Sequence, residues 1–477
     1  MLVMANYING KLSPSLSGEV IEVLNPYNQE VIGTVPKSTR SDVEEALKSS
    51  QKAQKKWCKL PAQKRASYLV EIADLLELHK EEMAVLLTKE HGKPLTQARD
   101  EIDASCGFIR YAAESARRIE GEIVTSEIDQ EQTWIQRVPY GVTVGIVAWN
   151  FPLALAARKF GNSLVCGNTM IIKPPSETPL TVMRLAEIIA KESSLPVGVL
   201  NFITGSGSEV GDALVRNDVV KLVTLTGSTR AGLEVFRAAA DHCVAVRLEL
   251  GGKAPFIVME DTDIDRAVKA AVIAKFNNCG QICTCNERMY IHESIYEKFV
   301  AGLIEKTSEL VVGDPLNPDT FIGPKVNKAE VEKINQLVQK SVEQGGKVLL
   351  DMTPEMKPTQ NGNWMYPVII EVPNNDNILM HDEIFGPVLP VMKVRDFNQA
   401  LEFANDSEYG LSAYLFTNNV KNIMRAVNEL EFGEVYVNRE NGEMINAFHN
   451  GYKLSGIGGE DGKHGFRRIS SEKNQYI

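Results

Sequence analysis

From Gly141 onward the apolar residues fall into short unbroken runs, each followed by a helix-length stretch: Val142 to Ala148, Met170 to Ile172, Val199 to Ile203, Leu222 to Leu225 and Val244 to Leu248. Continuous apolar runs alternating with helices predict parallel strands covered on both faces. Ligands in such sheets lie at the carboxyl ends of the strands, and Asn150, Lys173, Gly205, Gly227 and Glu249 all fall there. The stretch before Gly141 reads differently. Val20 to Leu24 and Val31 to Val35 are separated by turn residues and predict a small antiparallel addition to a larger sheet. Ser41-Asp42-Val43-Glu44 has capping-box form, and three helical stripes follow, begun by Val43, Ala46 and Leu47, continued by Leu69, Ile72 and Leu76, and closed by Leu95, Ala98, Ile102, Ile109 and Ala113. Glu120 to Arg137 carries only scattered apolar residues and predicts a projecting hairpin that serves as an oligomer contact.

A second α/β region is expected from Pro255 to about Phe432, with helices near Asp263 to Phe276 and Ile295 to Glu309 and strands near Met365 to Glu371 and Val388 to Val394. The tail from Gly458 is glycine-rich and charged and ends in an extended piece, Lys473 to Ile477. At 477 residues the chain is too long for one core and should divide into roughly three units.

A net charge of −11 argues against nucleic acid or an anionic membrane as partner. The start has no basic region before an apolar core, and the most apolar run, Val144 to Ala157, is broken by Asn150 and Pro152. Neither a secretory signal nor a membrane span is expected. Seven scattered cysteines read as reduced thiols of a cytoplasmic protein. Cys106, Cys166 and Cys243 are expected as core fillers and Cys58 as half exposed. Cys279, Cys283 and Cys285 lack the paired spacing of a zinc site, so no metal is expected. On a helix Cys279 and Cys283 would share a face, within reach of a disulfide.

Cys283, in a run from Phe276 to Cys285 where a helix-length stretch stops at a glycine, is the candidate nucleophile, because a thiolate needs only a lowered pKa or a nearby base. The nearest candidate base is Glu249, 283 − 249 = 34 residues upstream, about one strand-plus-helix unit. The Leu248-Glu249-Leu250-Gly251-Gly252-Lys253 run, the Gly280-Gln281-Ile282-Cys283 run and Glu383-Ile384-Phe385-Gly386-Pro387-Val388 together resemble the NAD(P)-dependent aldehyde dehydrogenase family over essentially the whole chain.

The resemblance implies an α/β fold with an atypical Rossmann cofactor domain (1–119 and 139–248), an α/β catalytic domain (249–457) and a small β oligomerisation element (120–138 and 458–477). It implies Cys283 as nucleophile, Glu249 as the base for deacylation and Asn150 as oxyanion donor. It assigns Gly227, Ser228 and Gly232 to the cofactor turn, Lys173 to the adenosine ribose, and Glu383 with Phe385 to the nicotinamide ribose. No G-x-G-x-x-G follows the first strand, and Gly205 to Gly211 is one residue too long for it. Ser176 stands where many relatives carry a glutamate that repels the extra phosphate of NADP, so NADP is the expected cofactor, with NAD also accepted. Arg158, Glu443 and His449 resemble the lactaldehyde and glyceraldehyde dehydrogenase branch, in which the matching residues surround the hydroxyl end of a short hydroxyaldehyde. Succinate-semialdehyde oxidation is the alternative, since Arg158 could pair a carboxylate. A CoA-acylating enzyme is disfavoured by Glu249, and a silent structural relative by the intact Cys283, Glu249 and Asn150. The expected partners are a small aldehyde and further copies of the chain, as a dimer or tetramer.

Overall fold

Two large sheets, built side by side from successive halves of the chain, carry the molecule in the computed structural model, which describes all residues except Glu355, Lys357 and Ile477. The first is eight-stranded, in the order Gly456–Ile457, Ala245–Glu249, Val220–Thr226, Val142–Ile146, Thr169–Lys173, Leu200–Phe202, Asn6–Ile8, Lys11–Ser13. Its central strands, from Ala245–Glu249 to Leu200–Phe202, pair in parallel, as their unbroken apolar runs require. Val142 to Val144 and Thr169 to Lys173 are buried along their length. Antiparallel strands close both edges, and one of them, Gly456–Ile457, returns from the far end of the sequence to pair with Leu248 and Glu249.

The second sheet is seven-stranded, in the order Lys347–Asp351, Val368–Glu371, Val388–Val394, Asn286–His292, Ala254–Val258, Ser412–Phe416, Glu434–Val437, parallel except at its first edge. A separate three-stranded sheet joins Glu122–Thr125, Gln132–Pro139 and the tail strand Ser470–Tyr476. Ile477, expected in that extended tail, lies outside the described residues. The fold is thus α/β, with helices on the faces of two mostly parallel sheets. Among the described residues, no helix is long and apolar enough to cross a membrane.

Several expectations are corrected. Val20–Leu24 and Val31–Pro36 pair antiparallel but form a sheet of their own with Leu2–Val3; it is the hairpin Asn6–Ile8 with Lys11–Ser13 that extends the large sheet. The first long helix, Arg40–Trp57, starts earlier than its Ser41 box suggests. Thr39 precedes it, and its N–H and Oγ1 donate to the Asp42 carboxylate at 2.8 and 2.9 Å. A helix over Lys80–His91 was not anticipated, because its apolar residues follow no single stripe. Cys243 is exposed in a left-handed turn (φ 50°) and is no core filler, whereas Cys106 and Cys166 are buried and Cys58 is half-buried.

Candidate active site

Three loops meet at one point between the two sheets, and they meet because glycines let them. A Cβ on Gly252 would overlap the carbonyl oxygen of Cys283, and one on Gly280 would overlap the backbone of Gly386. A Cβ on Gly251 would lie 2.9 Å from the Glu383 carboxylate. The loop after strand Ala245–Glu249, the loop carrying Cys283 and the loop over Glu383–Phe385 therefore touch backbone to backbone, a separation no larger residue permits. Two further bonds fix the third loop: Gly252 N–H donates to Glu383 Oε1 at 2.8 Å, and Ile384 N–H donates to Glu287 Oε2 at 2.7 Å. Glu287 is fully buried and charged. Burial alone would favour its neutral form, yet Lys275 at 2.8 Å and Lys253 at 3.1 Å hold it down at about 2.

Cys283 follows a sharp departure from helix. The helix Ile264–Phe276 ends, and Asn278, Cys279 and Gly280 are all left-handed (φ 51°, 57° and 69°). The expected shared helical face of Cys279 and Cys283 is absent, because Cys283 lies beyond the helix. The loop leaving Cys283 is held where Thr284 O accepts from Ser412 Oγ at 3.2 Å and from the Tyr414 hydroxyl. Burial pushes the Cys279 thiol to about 11 and the Cys285 thiol to about 12, so neither supplies a thiolate near neutral pH. Cys283 alone of the three is half-buried. Burial raises its thiol as well and Glu443 adds to the rise, while His449 and Arg158 oppose it without cancelling it.

Asn150 lies between strand Val142–Ile146 and helix Pro152–Val165 and brings its side chain to the Cys283 loop, donating from Nδ2 to Gln281 O at 3.0 Å. Its carbonyl accepts from Lys93 Nζ at 2.8 Å and from Asn278 Nδ2 at 3.2 Å. Lys93 is fully buried and paired with Glu101 at 2.5 Å. Glu101 in turn accepts from Leu153 N–H at 3.0 Å and Ala154 N–H at 3.3 Å, capping the helix that follows Asn150.

That helix is buried at every position, and it carries Arg158 and Lys159 into the interior. Arg158 lies 2.5 Å from Glu443 and 2.9 Å from Asp461. Lys159 Nζ lies 2.7 Å from Glu460 Oε1 and donates to Thr224 Oγ1 at 2.9 Å. His449 Nδ1 lies 2.9 Å from Glu434 and 3.7 Å from Glu443, and its Nε2 lies 3.4 Å from Glu249. Glu249 is buried, and neither carboxyl oxygen has a hydrogen-bond partner among the described residues. Burial pushes it up to about 8; His449 pulls the other way, and the like charge of Glu460 adds to the rise.

The residues expected at a dinucleotide line the carboxyl ends of the first sheet. Gly227 N–H donates to Glu249 O at 3.0 Å, and Ser228 caps helix Thr229–Ala240, its Oγ accepting from Ala231 N–H at 3.3 Å. Gly232 leaves just the space that the Leu250 side chain fills. Lys173 is buried, and among the described residues its ammonium donates only to Pro174 O, at 3.1 Å; burial lowers it to about 8, with Glu177 opposing. Ser176 and Glu177 are exposed beside it. Phe385, itself left-handed (φ 54°), stands edge-on to Trp149 at 5.3 Å, so the Glu383 loop reaches the residue next to Asn150. A helix N-terminus free of side-chain bulk, a buried lysine with donors to spare and a carboxylate at the far end fit a dinucleotide.

Sequence reasoning missed Lys93, Lys159, Glu434, Glu460 and Asp461. Each is a charged residue without a motif, and the only available signal was their position: Lys159 beside Arg158 within an apolar helix, and Glu434 alternating with apolar residues in Glu434-Val435-Tyr436-Val437.

The aldehyde dehydrogenase family model matches residues 13–474. The D-glyceraldehyde dehydrogenase (NADP(+)) of Picrophilus torridus is 40% identical over 476 residues, covering 99% of this chain and 96% of that one. The lactaldehyde dehydrogenase of Escherichia coli strain K12 is 39% identical over 474 residues, covering 99% and 98%. The solved structure of a 3,6-anhydro-L-galactose dehydrogenase in complex with NAP superposes with a TM-score of 0.98 at 44% identity, covering 100% of both chains. With that match across its length, and with the three glycine-bearing loops gathered around one cysteine, the chain belongs to the aldehyde dehydrogenase family and is an enzyme that oxidises aldehydes to acids.

Proposed function

We propose that this enzyme oxidises a short 2-hydroxyaldehyde, such as lactaldehyde or glyceraldehyde, with NADP preferred over NAD, and that it works as a homo-oligomer. The observation that carries the substrate choice is the state of Arg158. Its guanidinium already stands against two carboxylates, Glu443 and Asp461, while its Nε has no hydrogen-bond partner among the described residues. A cation so neutralised offers little to a third carboxylate, which disfavours succinic semialdehyde, yet the cluster still presents hydrogen-bonding atoms for a hydroxyl. The names of the glyceraldehyde and lactaldehyde relatives support the same class.

Cys283 attacks the aldehyde carbon as thiolate, and the Asn150 amide with the Cys283 N–H holds the oxyanion of the thiohemiacetal. When bound, the nicotinamide ring supplies the hydride acceptor. Lys173 and the Gly227–Gly232 turn hold the adenosine end of the cofactor, and Glu383 with Phe385 the nicotinamide ribose. Glu249 then takes a proton from the water that hydrolyses the Cys283 thioester. NADP preference follows from Ser176, which offers a small neutral donor where a carboxylate would repel the extra phosphate, and the names of relatives agree.

The test is kcat/KM for lactaldehyde, glyceraldehyde, propanal, hexanal and succinic semialdehyde, each with both cofactors. Hydroxyaldehydes should exceed propanal by roughly tenfold to a hundredfold, the worth of about 1.5–3 kcal/mol for a hydrogen bond to a charged group. Hexanal or succinic semialdehyde as the best substrate overturns the substrate reading, and NAD as the better cofactor overturns the cofactor reading.

A further inference from the structure

The turn that carries Asn150 is spanned by one buried ion pair. The Lys93 ammonium meets three partners: Glu101 Oε2 at 2.5 Å, Asn150 O at 2.8 Å and the face of the Phe151 ring, 3.9 Å from its centroid. The other Glu101 oxygen accepts from Leu153 N–H at 3.0 Å and from Ala154 N–H at 3.3 Å. The pair therefore grips the chain from Asn150 to Ala154, the lysine at one end and the carboxylate at the other. The backbone on either side of Lys93 is fixed as well. Gly92 is left-handed (φ 89°), a Cβ there would lie 2.9 Å from the Pro324 carbonyl oxygen, and Leu95 N–H donates to Pro315 O at 2.8 Å. On the side of the nucleophile loop, Asn278 Nδ2 donates to Asn150 O at 3.2 Å and to Gln281 O at 3.3 Å, and Asn150 Nδ2 donates to that same Gln281 O at 3.0 Å. An amide nitrogen carries two hydrogens, so the bond to Gln281 O leaves one for a substrate oxygen.

We infer that Lys93, with Glu101 as its counter-ion, is a positioning residue for the thiohemiacetal oxyanion: it fixes the Asn150 carbonyl, and so aims the Asn150 amide at the oxygen on which negative charge develops. The inference rests on Asn150 as oxyanion donor and on Cys283 as nucleophile, and not on which aldehyde is oxidised. A donor stabilises an oxyanion only from the right place, and the turn of the Asn150 peptide sets where its side chain starts. Misplacement of a reacting group by about 1 Å is enough to cost about 10²-fold in rate. An ammonium holds a carbonyl more firmly than a neutral donor does, and Glu101 keeps that charge from being buried alone. Lys93 acts through Asn150.

The test is a double-mutant cycle on the pre-steady-state burst of reduced cofactor, with saturating lactaldehyde and NADP. It compares wild type, Asn150→Ala, the pair Lys93→Met with Glu101→Gln, and all three substitutions together. The pair removes both charges at once, so no unpaired charge stays in the interior, and Glu101→Gln keeps an oxygen for the two helix N–H groups. Asn150→Ala should slow the burst by about 10²- to 10³-fold, the worth of one oxyanion donor. The pair should slow it roughly tenfold to a hundredfold with KM for the aldehyde little changed, and should add no more than about twofold on top of Asn150→Ala. Alkylation of Cys283 by iodoacetamide, in which no oxyanion forms, should run at the wild-type rate in all four enzymes. Should the pair not fold, Glu101→Gln alone carries the cycle, with a smaller fall and the same loss of effect once Asn150 is gone. Equal bursts for wild type and the pair overturn the inference. So do effects that multiply in the combined variant, or an alkylation rate that falls along with the burst, the marks of a residue that only supports the fold. An unchanged burst in Asn150→Ala removes the oxyanion reading itself and takes this inference with it.

Discussion

Glu249 shows how one buried side chain sets the working pH. Its two carboxyl oxygens are unpartnered, and burial holds the group at about 8, so below that pH it is mostly neutral. A neutral carboxyl cannot take a proton from water. The hydrolytic step should therefore rise with pH through about 8 and level off above it, whereas an ordinary carboxylate, ionised from about pH 5 upward, would give a flat profile over that range. Steady-state turnover and the burst of reduced cofactor, measured from pH 6 to 10, check this. Glu249→Gln should keep the burst and lose turnover by about 10²-fold or more, the usual worth of a general base. A Glu249→Gln enzyme with full turnover would take the base role away from this residue.

At the scale of the elements, the site depends on loops that touch without side chains between them. Gly252 is the sharpest case, since a Cβ there would overlap the Cys283 carbonyl, which is backbone and cannot rotate away. Gly252→Ala should displace the Cys283 loop and cost activity about 10²-fold, as misplacement of a reacting group by about 1 Å does. Overpacking should also cost about 1–3 kcal/mol of stability. A Tm scan beside kcat/KM checks both: a fully active Gly252→Ala would show that the loops have slack. The motif was legible because it is local, the six consecutive residues from Leu248 to Lys253. Lys93, Glu101 and Lys159 were not, because a buried ion pair such as Lys93 with Glu101 is made when the loop before helix Leu95–Glu114 folds back on that helix, and it leaves no pattern in the sequence.

For the whole molecule, the three-stranded sheet stands apart from both large sheets. Ser470–Tyr476 pairs with Thr133–Pro139 along its full length, while Ile123, Ile128 and Tyr476 are exposed. Sheet edges and large apolar groups left in water call for a cover, and a further copy of the chain is the one proposed here. Truncation after Ile469 removes the strand that completes the sheet. The truncated enzyme should have a lower assembly mass by light scattering at concentrations where the full chain assembles. An unchanged mass would place the subunit contact elsewhere.

The parallel strands, the nucleophile loop and the glycine-bearing motifs are legible in the chain before folding, because each is written in consecutive residues: unbroken apolar runs where both faces of a strand are buried, and glycine where backbones touch. The sequence also marked Arg158, Glu443 and His449, though only by resemblance. The charge around the active site, by contrast, was set by folding. Glu434, His449, Glu249, Arg158, Lys159 and Glu460 come from five separate stretches of chain, and none has a motif that foretells its neighbours. Their protonation follows from burial and from distances of about 3 to 4 Å across those stretches. Electrostatic energy falls with distance in space and is indifferent to distance along the chain, so it became readable only once the chain was folded.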